Sequence, residues 1–260
     1  MELQKVAETL EENGIALFAV SYDGVDVLNG FAERYGIGYP LLSDEGSAVI
    51  RSLGILNEDA PPPVAGIPHP GVFVLDEEGR IASKHFYASY RERDTGIGLL
   101  EHVLGITAPS HGPQSRSAAE AVEVRAWLDR DQYAWGQRLW LSVELEIAPG
   151  HHVYAAPTPG GYFPLTVSID PIERVTIGTP KIPAGQPFRM EAFEEDFFVY
   201  EGTVRADVPL SFMVVDAGTL TLNVHVGLQA CTDSECLLPA TVDRELPVNE
   251  EPLVERPKPA

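Results

Sequence analysis

The sequence predicts an α/β half followed by an all-β half, and three observations carry that reading. At 260 residues the chain exceeds the usual length of one domain and can bury two cores. Its apolar residues recur with a helical period of about 3.6 early in the chain and with a strand period of about 2 beyond the middle. Between the two patterns, residues 106 to 119, ITAPSHGPQSRSAA, follow neither period and are rich in Pro, Ser and Gly, the composition of a linker.

Within the first half, Leu3, Val6, Ala7 and Leu10 fall at i, i+3, i+4 and i+7, one face of a helix, and Gly14 follows Asn13 where a left-handed cap would end it. IALFAVS, residues 15 to 21, reads as a buried strand. Val25, Leu28, Phe31, Ala32 and Tyr35 repeat the helical stripe before Gly36, and Ala48 to Leu53 form a shorter helix after a turn at Ser43 and Asp44. GVFVLD (71 to 76) and RIASKHF (80 to 86), joined through Glu77, Glu78 and Gly79, predict a β-hairpin, and Gly96 to Leu104 a closing helix.

Beyond the linker the side chains alternate. In RLWLSVELEI the residues Leu139, Leu141, Val143, Leu145 and Ile147 share one face, and in LTLNVHVGL the residues Leu220, Leu222, Val224, Val226 and Leu228 do the same. PLTVSID, RVTIG, YEGTVRADV and PLSFMVV add short strands between Pro and Gly turns. Many half-buried antiparallel strands at this spacing predict a β-sandwich of the immunoglobulin type. The domain expectation is therefore 1–105 α/β, 106–119 linker, 120–248 β-sandwich, with residues 249 to 260, NEEPLVERPKPA, as a disordered tail.

Composition narrows the function. The formal charge of −21, from 39 acidic against 18 basic residues, would repel phosphate backbones and anionic lipid, which argues against nucleic acid and membrane surfaces as partners. No run approaches the ~18 apolar residues of a membrane span, so the chain reads as soluble. Histidines 69, 85 and 102 are scattered, and a lone histidine without a paired Ser or Cys reads as a surface or satisfied core residue.

The chain's two cysteines lie together in ACTDSECLLP, residues 230 to 239. If the residues before Cys231 and after Cys236 form adjacent strands, the two face each other across a hairpin mouth, where opposed Cα atoms about 4.5–5.5 Å apart suit a disulfide. A ring this small would contribute only about 2 kcal/mol by loop entropy, which favours reversible exchange over a structural staple. A fixed disulfide and inert thiols stay open on the residues alone. Zinc needs four ligands, and besides the cysteines only His225, on the polar face of its strand, is in view, so no metal and no cofactor are expected. Asp233 and Glu235 would disfavour a neighbouring thiolate and keep the pair quiet until a partner docks.

Two resemblances add to this reading. The order of elements around IALFAVSYD, YPLLSD and GIPHPGVFVLDEEGRI resembles the thioredoxin-like fold of the peroxiredoxins, the alkyl hydroperoxide reductase and thiol-specific antioxidant family, over residues 1 to 105. The resemblance implies that Pro70 is the proline, often cis, that faces the redox cysteine in this fold. It also implies a nucleophilic cysteine at the start of the first helix, yet no cysteine precedes Cys231. MELQKVAETLEENG resembles only the tail of that helix, so the sequence reads as a fragment or as starting at an internal methionine, with an incomplete fold and no peroxidase activity of its own. Loss of the preceding strand would leave either an unpaired seam in the sheet or a re-closed one.

Residues 120 to 248 resemble the amino-terminal domain of the thiol:disulfide interchange protein DsbD, through ACTDSECLLP, EEDFFVYEG and HHVYAAPTPGGYFPLTV. The resemblance implies a redox-active pair at Cys231 and Cys236 serving a thioredoxin-like protein. It further implies that the segment Phe193 to Tyr200, which holds Glu194, Glu195 and Asp196, is a lid whose aromatic rings, Phe197 foremost with Phe198, cover the sulfurs. The expected activity is that of an oxidoreductase exchanging thiols and disulfides. The alternatives are a binding module with a fixed disulfide, or a peroxidase encoded by a longer gene in which the sandwich recycles the first domain.

Overall fold

The computed structural model describes residues 2–87, 92–108, 114–190 and 195–251. The chain divides into two compact units, Met1–Ala108 and Pro109–Ala260.

In the first unit, α1 (Glu2–Glu12) buries Val6 and Leu10 against Leu100 and Ala108, and Gly14, at φ +72°, closes it in the left-handed conformation. β1 (Ala19–Ser21), α2 (Val25–Tyr35) and β2 (Leu41–Ser43) follow, with β1 and β2 paired in parallel. The short α3 (Ala48–Ser52) is capped by Asp44, whose carboxylate accepts from the N–H groups of Val49 (3.0 Å) and Ile50 (2.8 Å). β3 (Gly71–Leu75) and β4 (Ile81–Phe86) form the hairpin, turned by Asp76, which accepts from Glu78 N and Arg80 N. A Cβ at Gly71 would lie 2.3 Å from the Phe86 ring, so any larger residue there requires that ring to shift. A two-residue strand β5 (Arg93–Asp94) precedes α4 (Gly96–Gly98), which Thr95 caps and which continues as a π-turn over Leu99–Val103.

The strand expected over residues 15 to 21 is shorter than its apolar run: only Ala19–Ser21 pair, and Phe18 and Val20 are exposed. The reason lies in the pairing. Among the described residues β1–β2 and β3–β4 remain two separate two-stranded sheets, so β1 has a neighbour on one side alone and the seam does not re-close.

The second unit begins with β6 (Gln114–Ala119), β7 (Val122–Leu128), β8 (Gln132–Tyr133), β9 (Gln137–Ile147) and β10 (His152–Tyr154). It continues through β11 (Thr166–Ile169), β12 (Val175–Ile177), β13 (Gln186–Met190), β14 (Glu195–Tyr200) and β15 (Thr203–Phe212) to β16 (Thr219–Leu228), β17 (Ala230–Cys231) and β18 (Ala240–Glu250). One sheet runs β12-β15-β9-β7-β6, a second β11-β16-β18-β8 and a third β13-β14-β10-β17. Alternate side chains of the first two sheets, among them Val124, Leu141, Leu145, Val208, Val224 and Leu246, enter one common core.

Three boundaries differ from expectation. The stretch read as a linker holds β6, paired along its length with β7, because Ser and Ala between polar residues fill an edge strand as readily as a loop. The two strands read as YEGTVRADV and PLSFMVV are one, β15, continuous through Pro209. The carbonyl of Pro209 accepts from Gly178 N, just past the end of β12, so the N–H that proline lacks would have pointed where that ladder stops. Finally, β18 extends through Asn249 and Glu250, the start of the stretch read as a tail. The Glu250 carboxylate accepts from the N–H groups of Asp216 (2.8 Å) and Gly218 (3.0 Å), ties that composition does not reveal.

Candidate functional site

The sheet β13-β14-β10-β17 builds the surroundings of the cysteines. Cys231 closes β17 and pairs with β10, and a tight turn returns the chain to Cys236. Leu237 N donates to Ala230 O (2.9 Å) and Thr232 N to Glu235 O (2.8 Å), so the cysteines between them form a non-hydrogen-bonded antiparallel pair, the pair type with the closest Cα atoms. The Cα separation is 4.0 Å and the sulfurs are bonded. Inside the turn, Thr232 Oγ1 accepts from the N–H groups of Ser234 (3.3 Å) and Glu235 (3.2 Å), which fixes the loop without help from the sulfurs.

The two cysteines meet solvent unequally. Cys231 is 0% exposed and packs with Tyr154, Phe197 and Val199, whereas Cys236 is exposed. Tyr154, on the central strand β10, carries its hydroxyl to 3.5 Å from Cys236 Sγ. Phe197, 1% exposed, sets its ring 5.3 Å from that of Tyr154, tilted, and 4.9 Å from that of Tyr162, edge to face. An apolar, aromatic chamber thus encloses Cys231 and leaves Cys236, at the other end of the bond, an exposed residue whose sulfur borders the chamber at the Tyr154 hydroxyl.

Phe198 does not share this cover. It is 44% exposed, because adjacent residues of β14 point to opposite faces and Phe197 holds the inner one. Tyr200 belongs to the main core, its hydroxyl donating to Pro183 O (2.8 Å). Asp196 is exposed and lies 3.4 Å from Arg189, while Asp233 and Glu235 are exposed in the cysteine turn. Phe193 and Glu194 lie outside the described residues. Pro70 directly precedes β3 in the first unit, and the cis X-Pro bond among the described residues is Ala156–Pro157 instead. His225 is held between Asp243 (2.7 Å) and Asp170 (3.1 Å), and among the described residues no cluster of three or more His, Cys, Asp or Glu side chains is arranged to hold a metal ion.

Sequence reasoning missed the residues of β10. His152 is 2% exposed, lies directly across the ladder from Cys231, and has its Nε2 buried without a hydrogen-bond partner. Burial pushes its imidazole pKa down, against the pull of Asp233 and Glu201. The signal was in HHVYAAPTPGGYF, where His152 and Tyr154 sit two apart on one strand face, with Tyr162 brought back over them.

The site is thus a disulfide between a buried and an exposed cysteine, in a β-unit that follows an α/β segment. Family models match two separate parts of the chain. Residues 1–84 match the AhpC/TSA family, which supports a thioredoxin-like segment there, and residues 125–247 match the N-terminal domain of the thiol:disulfide interchange protein DsbD. Both support a thiol–disulfide redox role in general. Among solved structures the chain is similar to the DsbD N-terminal domain of Neisseria meningitidis in its reduced form, at 19% identity over 42% of this chain and 77% of that one, with a TM-score of 0.31. It is also similar to the N-terminal periplasmic domain of ScsB from Proteus mirabilis, at 17% identity over 53% of this chain, with a TM-score of 0.37. The chain spans about half of that domain, 51%. Comparison with curated proteins finds no match. No helix among the described residues is long and apolar enough to cross a membrane.

Proposed function

We propose that the second unit, an immunoglobulin-like sandwich over about residues 120–248, exchanges electrons with a thioredoxin-like protein through Cys231 and Cys236. The observation that carries this reading is the unequal exposure of the two bonded cysteines, Cys231 buried and Cys236 exposed. A partner thiolate reaches Cys236 Sγ and forms a mixed disulfide, and Cys231 leaves with the bonding pair of electrons into the aromatic chamber. The partner's second thiolate then attacks its own sulfur in that mixed disulfide and frees Cys236, so that two protons and two electrons pass from the partner to the pair. Phe197 covers the inner sulfur, and Asp233 and Glu235 in the turn keep the mouth negative, which slows stray thiolates, while Asp196, beside Phe197 on the opposite face of β14 and 3.4 Å from Arg189, takes no part. Leu238, 88% exposed two residues past Cys236, offers the docking partner an apolar contact. The first unit, read as a peroxiredoxin-like domain over residues 1–105, has no cysteine to act as nucleophile.

The test uses single-cysteine variants of the whole chain with a thioredoxin that keeps only its attacking cysteine, presented as a mixed disulfide with a small aromatic thiol, so that no second partner thiol can resolve the adduct. Cys231→Ser leaves the exposed thiol and should accumulate a mixed disulfide with thioredoxin, while Cys236→Ser should not. Equal adducts from both variants, or resistance of the native disulfide to reductants near its expected limit of about −300 mV, would assign the bond a fixed structural role instead.

A further inference from the structure

The exchange at Cys231 and Cys236 leaves one buried titratable side chain without a task. His152 and Cys231 are direct cross-strand partners of β10 and β17, so their side chains leave the sheet on the same face, with Cβ atoms about 4.5–5.5 Å apart. The imidazole lies 4.5 Å from the Phe188 ring and 5.6 Å from the Tyr154 ring, centroid to centroid, inside the aromatic chamber. Its Nε2 is buried and unpartnered. An unpaired polar atom in an apolar site destabilises the fold, and a phenylalanine or leucine would fill the same space without that cost. Cys231, for its part, has no solvent contact through which to lose or gain a proton once the disulfide opens.

We propose that His152 is the proton partner of Cys231. This rests on the exchange reading of the cysteine pair and deepens it. When the reduced pair passes electrons on, the Cys236 thiolate attacks the partner's disulfide and the first partner sulfur leaves. Cys231 then gives its thiol proton to the imidazole and attacks Cys236 Sγ. The Cys231–Cys236 bond forms, the bond from Cys236 to the partner breaks, and the second partner sulfur leaves as a thiolate that takes a proton from water. The imidazolium returns its proton to solvent through the exposed mouth. In the opposite direction the imidazolium protonates Cys231 as it departs with the electron pair. The charged groups facing His152 are Asp233 in the cysteine turn, Glu201 after β14 and the adjacent His151. Burial outweighs the two carboxylates and keeps the ring neutral near pH 7, the form that can accept a proton.

The test compares wild type with His152→Phe, which fits an aromatic chamber, and His152→Gln, which keeps a polar head but does not titrate. The rate of thioredoxin release from the mixed disulfide is measured against pH, together with the histidine ring resonances of the oxidised and reduced proteins. Wild type should show an inflection in the release rate that both variants lack, and both should release thioredoxin on the order of a hundredfold more slowly at neutral pH. Alkylation of Cys236 by a small reagent should be unchanged. The His152 resonance should titrate differently in the two redox states, a readout that stands even if a variant fails to fold. Identical release profiles, or a His152 titration indifferent to redox state, would overturn the proposal while leaving exchange intact. Failure of the wild type to exchange at all would remove both readings.

Discussion

Replacing Phe197 by Ala separates a lid from a piece of core. The ring is 1% exposed and touches both Tyr154 and Tyr162, so truncation removes most of a buried phenyl group and two aromatic contacts. Phenylalanine-to-alanine changes in full cores cost about 3–5 kcal/mol. Here the cluster is small, four buried residues apart from the main core, and opens toward the exposed cysteine turn, so water can enter and the cost should fall near the lower end, about 3 kcal/mol. Urea unfolding of the full chain checks that figure. The decisive assay is chemical: oxidised protein is treated with glutathione under denaturant-free conditions and the site of the adduct is mapped by mass spectrometry. In the native chain the adduct should fall on Cys236 alone; in the Phe197→Ala variant a substantial share should shift to Cys231, now open to attack. A variant that loses stability yet keeps its adduct solely on Cys236 would show that the ring packs without shielding the sulfur, and the account of an enclosed leaving group would fail.

Three further outcomes are expected. Protonated His225 donates hydrogen bonds to the carboxylates of Asp243 and Asp170, which raise its pKa above the ordinary value near 6.5. The stabilisation is therefore full below that value and lost as pH rises through the raised one, and His225→Gln should flatten this part of a stability–pH curve; an unchanged curve would exclude the pair of carboxylates as its cause. The N–H groups of Gly218 and then Asp216 hold the Glu250 pKa low, so that its contribution is present above the usual glutamate range and lost as pH falls through the lowered value. Glu250→Ala should accelerate hydrogen exchange at those two amides, and unaltered protection would refute the tie. Gly71→Ala places a methyl group against the Phe86 ring and should destabilise the first unit by about 1–3 kcal/mol in thermal unfolding, with a silent substitution showing that the ring moves freely.

Much of the architecture was legible because burial writes a period into the chain. Leu222 to Leu228 alternate in sequence and in burial, whereas in β9 Leu139, Leu141, Val143, Leu145 and Ile147 are buried as their period predicts but Trp140 and Ser142 between them are buried too. The misread boundaries share one cause: their order comes from partners distant in sequence. Asn249 and Glu250 pair with Gln132 and Tyr133 across more than a hundred residues, and nothing local in NEEPLVERPKPA announces it. The candidate site divides the same way. The bonding of Cys231 to Cys236 follows from adjacent strands and a short turn, which are local. The apposition of His152 to Cys231 follows from the pairing of β10 with β17, which joins segments nearly eighty residues apart and is invisible to any pattern within either. Phe198 shows the limit of segment-level inference, since a resemblance names the stretch EDFFVY but strand alternation decides which of two adjacent rings faces in.

Whether the disulfide can open without dissolving its surroundings depends on what else holds the turn. Closing so small a ring contributes about 2 kcal/mol, a minor part of the roughly 5–15 kcal/mol of a typical domain. The turn keeps its own ties: Thr232 Oγ1 to two amides, Thr232 N to Glu235 O, Leu237 N to Ala230 O, and Gln229 Nε2 to Leu237 O at 3.1 Å. The pairing of β17 with β10 runs through the backbone and does not depend on the bond between the sulfurs for its hydrogen bonds. Reduction would therefore free two thiols that stay within reach of each other, one in a dry aromatic chamber and one at the surface. That arrangement favours rapid re-closure over a slow search, because the entropy of bringing the sulfurs together is already met by the backbone. A fixed staple has no need of such redundancy, since its bond would be the tie that the turn depends on.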